Sequence, residues 1–183
     1  MKIGLLYYKG ILTDEDVRSF EDVFNGEGIE FKALDKTGQI IASIDDLDSV
    51  FTVVLNCIGT SGVLYSLSAS AAWDSLKMMM GYIVNKTKEK MVYRVTSKST
   101  EEKNITISLQ TSVNNNDFHF KFEGLKETEE LNQALDKILS FINEQYQKPK
   151  QDNKKTYITT FDRQLEEWVT RDFLEELRRK YND

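Results

Sequence analysis

Hydrophobic and polar positions alternate along this chain in patterns that predict a series of short elements. Residues 3–8 form a near-continuous apolar run, expected of a central strand covered on both faces. Thr13 followed by Asp16 has the form of a capping box, and Val17, Phe20 and Phe24 then share one helical face. Asn25-Gly26 and Gly28 stop that helix. Ile29, Phe31 and Ala33 alternate with Glu30 and Lys32, the period of a half-buried strand. A turn at residues 35–38 and a short strand over 39–44 follow.

Residues 49–84 are the most apolar stretch. Its second half is helical in pattern, because Ala69, Ala72, Leu76, Met79, Met80 and Ile83 make one stripe. Its first half fits two elements. Val50, Phe51, Val53 and Val54 favour a strand, whereas Ser49, Thr52, Asn56 and Gly59 recur at helical spacing below three aspartates, Asp45, Asp46 and Asp48. The helical hairpin, turning at Gly59, Thr60, Ser61 and Gly62, is the favoured form. The uncharged run is long enough to span a membrane, but Asn56, Thr60, two glycines and three serines interrupt it, and no basic cluster flanks it. A three-strand meander is expected next, at 91–96, at Ile105, Ile107, Leu109 and Thr111, and at Phe118, Phe120 and Phe122. The connections 98–104 and 112–117 are expected to be polar hairpin loops. Leu131, Leu135, Ile138, Leu139, Ile142 and Tyr146 then stripe a helix that ends before Pro149, the only proline.

Beyond a polar linker at 148–155, residues 156–160 suit a short extended arm. Residues 162–181 predict a long amphipathic helix lined by Phe161, Leu165, Trp168, Val169, Phe173, Leu177 and Tyr181. Glu167–Arg171, Glu175–Arg179 and Glu176–Lys180 are spaced to support it. The expected fold class is thus α/β or α+β. A mixed sheet of about five strands with a C-terminal meander forms a domain over 1–147, and a helical arm occupies 156–183.

Composition narrows the function classes. The 183 residues carry a net charge of −6, which argues against nucleic acid as the main partner. Cys57 is the only cysteine, so an intramolecular disulfide and a cysteine-based metal site are both excluded. Its apolar setting suits an inert structural thiol, and a reducing cytoplasm is expected. The N-terminus lacks the long apolar region and cleavage site of a secretory signal.

No complete catalytic or metal motif is present, so no enzyme activity, cofactor or metal is expected. His119, the only histidine, falls on the strand face opposite the three phenylalanines, where a surface role is the simpler one. Gly59, Thr60, Ser61 and Gly62 would cradle a phosphate if they opened a helix, yet they lack the lysine and spacing of a P-loop. That loop, or a pocket between the sheet and the Met78-Met79-Met80 helix, is the alternative site for a small ligand or nucleotide. The three aspartates fit a helix cap and first turn better than a metal cluster. The C-terminal stripe with Trp168 has the aromatic character of an interaction hot spot, and a helix docking into the groove of a partner protein or a second copy is the favoured function.

The segment GTSGVLYSLSASAAWDSLKMMM followed by MVYRV, ITISLQT and FHFKFEGL resembles, in layout and hydrophobic pattern, the effector-associated constant-component domains of bacterial conflict systems. The resemblance implies an adaptor role in bacterial defence. It leaves out the N-terminal strand–helix unit and everything after Pro149, and it carries over no functional residue.

Overall fold

The computed structural model describes residues 1–37, 49–56, 71–88, 90–95, 100–123, 127–150 and 152–182. Its class is α+β. A seven-stranded mixed sheet runs in the order β2-β1-β3-β6-β7-β8-β9. β1 (Lys2–Tyr7), α1 (Asp14–Gly26) and β2 (Glu30–Asp35) come first, and β1 pairs β2 in parallel. The capping box forms as expected: the Asp16 N–H donates to Thr13 Oγ1 at 3.2 Å, and the Thr13 N–H donates to Asp16 Oδ2 at 2.6 Å. Phe20 and Phe24 then face the core.

Residues 51–56 correct the helical hairpin, since Phe51–Asn56 is strand β3, antiparallel to β1. Phe51, Val53 and Leu55 point into the core, and Thr52, Val54 and Asn56 point away. The helical spacing of Ser49, Thr52 and Asn56 is a coincidence of that alternation. β-branched side chains on a covered sheet decide the outcome. The expected turn at Gly59, Thr60, Ser61 and Gly62, Cys57, the three aspartates and the strand at 39–44 lie outside the described residues.

Helix α2 (Ala71–Thr87) buries Ala72, Leu76, Met79, Met80 and Ile83 as its stripe requires, while Met78 is exposed. The Asp16 carboxylate ties α2 to α1. It accepts hydrogen bonds from Tyr82 Oη and Lys86 Nζ. Burial pushes this carboxyl up, but the bonds from Lys86, Tyr82 and Thr13 outweigh burial and hold it well below the usual carboxylate range.

The meander is also corrected. β4 (Met91–Val95) pairs β5 (Thr100–Asn104) in a separate two-stranded sheet, where a loop was expected. β6 (Ile107–Val113) instead lies parallel to β3 and antiparallel to β7 (Asn116–Phe122). Asn114 and Asn115, with φ of 48° and 69°, make the β6–β7 turn. Two successive left-handed residues match the twist of a tight hairpin, and asparagine tolerates that conformation. Phe118, Phe120 and Phe122 face inward as their spacing predicts. Helix α3 (Thr128–Gln147) covers them with Leu131, Leu135, Ile138 and Ile142.

The largest correction is at the C-terminus. Residues 155–172 are two strands of the main sheet, not an arm. β8 (Lys155–Asp162) runs parallel to β7, and β9 (Glu167–Asp172) returns antiparallel to β8. Only α4 (Phe173–Asn182) is helical. Asp162 Oδ1 accepts from the N–H groups of Gln164 and Leu165, so its cap-like position opens a turn. Asp172 Oδ1 accepts from the N–H of Leu174 at 3.0 Å and caps the real helix. Thr156, Tyr157, Ile158, Thr159 and Thr160 form a β-favouring run whose helix-like continuation is accidental.

α1, α2 and α3 share one core with the inward residues of the sheet. α4 packs against β8 and β9, and its buried Phe173, like Ile158, lies apart from that core.

His119 lies on the face of β7 opposite the phenylalanines, half-buried, and its Nδ1 has no hydrogen-bond partner. Its cross-strand neighbours are Gln110 and Ile158. Burial holds its pKa below the ordinary value; Asp117 pulls it up and Lys121 pushes it down. The unfolded chain therefore takes up a proton first as pH falls. The stability that neutral His119 contributes is full above its unfolded pKa of about 6.5 and is lost as pH drops toward the folded value. Urea midpoints are expected to fall from pH 7.5 to 5.5 in the parent protein, and to fall less in His119→Gln. An identical fall in both proteins would assign the effect elsewhere.

Candidate functional site

The β6–β7 turn brings Asn114 onto the end of α3. Asn114 Nδ2 donates to the carbonyls of Gln145 at 2.7 Å, Tyr146 at 3.3 Å and Lys148 at 2.8 Å. Those carbonyls lie at the C-terminal end of α3, where intrahelical donors run out, and that of Gln145 also accepts from the Lys148 N–H at 3.2 Å. The contact holds the end of α3 above the turn, and beneath it lies a cavity of about 420 Å³.

Val113, Asn116 and Phe118 of the β6–β7 hairpin, Tyr157 of β8, and Trp168 and Thr170 of β9 line its sheet side. Phe141, Glu144 and Gln145 of α3 line the helix side, and Asn114, Lys148 and Pro149 complete the rim. The size suits a small-molecule site, for which about 300–1,000 Å³ is usual.

Aromatic packing fixes the walls. Phe118 stacks on Tyr157 with ring centres 5.2 Å apart, and Phe141 meets Phe118 edge-on at 5.3 Å. Trp168 packs edge-on against Phe120 at 5.0 Å and Phe122 at 5.3 Å. Its indole Nε1 donates to the Ala134 carbonyl at 2.9 Å. With both ends of its ring system held, Trp168 is a rigid part of the wall.

The polar groups in this region are less well satisfied. Asn116 is 7% exposed, and its Oδ1 has no hydrogen-bond partner. The Oγ1 atoms of Thr170 and of its cross-strand neighbour Thr159 also have none. Buried polar atoms are nearly always paired, because each unpaired group costs about 1–3 kcal/mol. Asn116 and Thr170 line the cavity and Thr159 adjoins Thr170 across the β8–β9 pair, while the other such atoms among the described residues belong to Ser49, His119 and Asn132.

The expected interaction stripe is not one surface. Trp168 and Phe173 are buried, Phe161 and Leu177 are half-buried, and Leu165 and Val169 are 63% and 37% exposed. Phe161 packs on Trp168 at 5.3 Å within the β8–β9 hairpin. Val169 follows Trp168 on the strand and points to the opposite face. Tyr181 lies in α4, and its side chain is not among those described.

The cavity residues Asn116, Phe141, Tyr157 and Thr170 carry no local motif. The one sequence cue is the run Asn114-Asn115-Asn116, too polar for a strand yet continuous with one. Among the described residues no three His, Cys, Asp or Glu side chains group to hold a metal ion. No described helix is long and apolar enough to cross a membrane. No protein-family model, curated protein or solved structure matches the chain.

Proposed function

We propose that the protein is a small-molecule-binding module and that its site is the cavity beneath the last turn of α3. The observation that carries this is the pairing of aromatic walls with the unpartnered Asn116 and Thr170 atoms. The lining is more polar than that of a typical ligand pocket, and what it shares with one is aromatic side chains beside a few convergent polar groups. The place differs from the loop at residues 59–62 and from the methionine-bearing helix to which the sequence points. The adaptor role loses its main motivation, because the helix expected to carry it begins only at Phe173 and its best anchor, Trp168, is buried in the protein's own core.

The test is thermal unfolding across a panel of metabolites, comparing the parent chain with Thr170→Val. A ligand at a hundred times its Kd adds about 2.7 kcal/mol, or roughly 5–10 °C in Tm for a chain of this size. Thr170→Val removes a hydroxyl without a partner, so the free protein should keep its stability while the ligand-induced shift shrinks. A full shift retained in Thr170→Val, or no shift from any compound, would overturn the assignment.

A further inference from the structure

We infer that the cavity takes the ammonium group of a small soluble molecule, an assignment that rests on the small-molecule role proposed above. The groups around the cavity point to a cation. α3 is a helix of 20 residues with no basic residue in its last turn. Its C-terminal end carries the negative pole of the macrodipole. The Asn114 amide that bonds these carbonyls is neutral, and the C-cap residue Lys148 supplies the cation nearest this pole.

The two charged residues of the lining, Glu144 and Lys148, cancel formally, and Lys148 Nζ is turned to Gln145 Oε1 at 3.2 Å. Asn116 Oδ1, buried and without a partner, is an acceptor and asks for a donor. The rings of Phe118, Phe141, Tyr157 and Trp168 bear negative π faces, and cages of such rings recognise ammonium groups. The unpaired acceptor, the Glu144 carboxylate and the aromatic lining favour a positive group, and Lys148 is the one opposing charge of the lining.

Choline and its neutral carbon isostere, 3,3-dimethylbutan-1-ol, separate charge from shape. Titration of the full chain, followed by calorimetry, is expected to show the isostere binding about tenfold more weakly than choline. Glu144→Gln is a surface change; it should weaken choline severalfold and leave the isostere unaffected. Phe141→Leu keeps an apolar wall but removes a ring, and should weaken choline more than the isostere. Equal affinity for both probes overturns the ammonium assignment and leaves the cavity as a binding site. So does silence toward choline when another compound gives a shift that Thr170→Val abolishes. Silence toward every compound overturns both proposals. Sedimentation with phosphatidylcholine vesicles settles the source: a protein that binds free choline and stays in the supernatant supports a soluble amine, and one that pellets with the vesicles overturns it in favour of a lipid headgroup.

Discussion

A chain ending at Gln147 is expected not to fold. The cut removes β8, β9 and α4 from one edge of the sheet. It strips Trp168 from Phe120 and Phe122, and it takes away the indole hydrogen bond to the Ala134 carbonyl of α3. Tyr157 leaves Phe118 at the same time. β7 becomes an edge strand, with the backbone groups that paired along 116–121 now open. An exposed apolar edge of this kind promotes aggregation. Losing one large buried aromatic costs about 3–5 kcal/mol, and a whole domain is stable by only about 5–15 kcal/mol. The shortened chain should therefore appear in the insoluble fraction, or lack a cooperative melt by circular dichroism. A soluble fragment with a sharp transition would show instead that residues 1–147 carry their own core and that the C-terminal hairpin is an accessory.

Phe120→Ala is expected to cost about 3–5 kcal/mol. Phe120 is fully buried at the centre of β7, among Phe118, Phe141 and Trp168. Its partners come from three separate elements, β7 itself, α3 and β9, so no single segment can move in to fill the space. Phe120→Leu keeps most of the volume, and its loss should stay near 1–2 kcal/mol. Urea unfolding of the three proteins measures both values, provided the slope against denaturant is unchanged. A loss below about 1 kcal/mol for Phe120→Ala would mean that the wall collapses readily, and the cavity next to it would then be soft as well.

Elements whose period comes from one uninterrupted face are legible in the sequence alone. α1, with Thr13 and Asp16 at its start, and α3, with its leucine and isoleucine stripe, are cases where local rules and tertiary packing agree. β7 is another, because Phe118, Phe120 and Phe122 leave one choice of face. Residues 49–56 and 155–172 mislead for a shared reason. Over six to eight residues, a strand of apolar and small polar side chains reproduces helical spacing by accident, and the deciding interactions lie far away. Trp168 is in a strand because Phe120 and Phe122 are waiting for it across the sheet. No window around Trp168 contains them. The cavity is hidden from the sequence in the same way. Asn116, Phe141, Tyr157 and Thr170 are ordinary residues that acquire a role only where two hairpins and a helix end meet.

The pairing of β3 with β6 also shapes how the protein reaches its fold. Phe51 stands opposite Ile107, with α2 and the β4–β5 hairpin in the chain between them. On one side of that seam lie β1, β2, β3 and α1, and on the other lie β6 to β9 with α3 and α4. Each half is contiguous in sequence, but only β6–β7 and β8–β9 pair over short turns, whereas β1–β3 sets Lys2 opposite Asn56. Closing the β6–β7 turn orders two residues. Closing the seam ties together positions more than fifty residues apart, at an entropic cost of about 3–4 kcal/mol from loop length alone. Viewed along the assembly route, the continuous sheet is two tight hairpins, β6–β7 and β8–β9, fastened by long-range joints of similar entropic cost at β1–β3, β3–β6 and β7–β8.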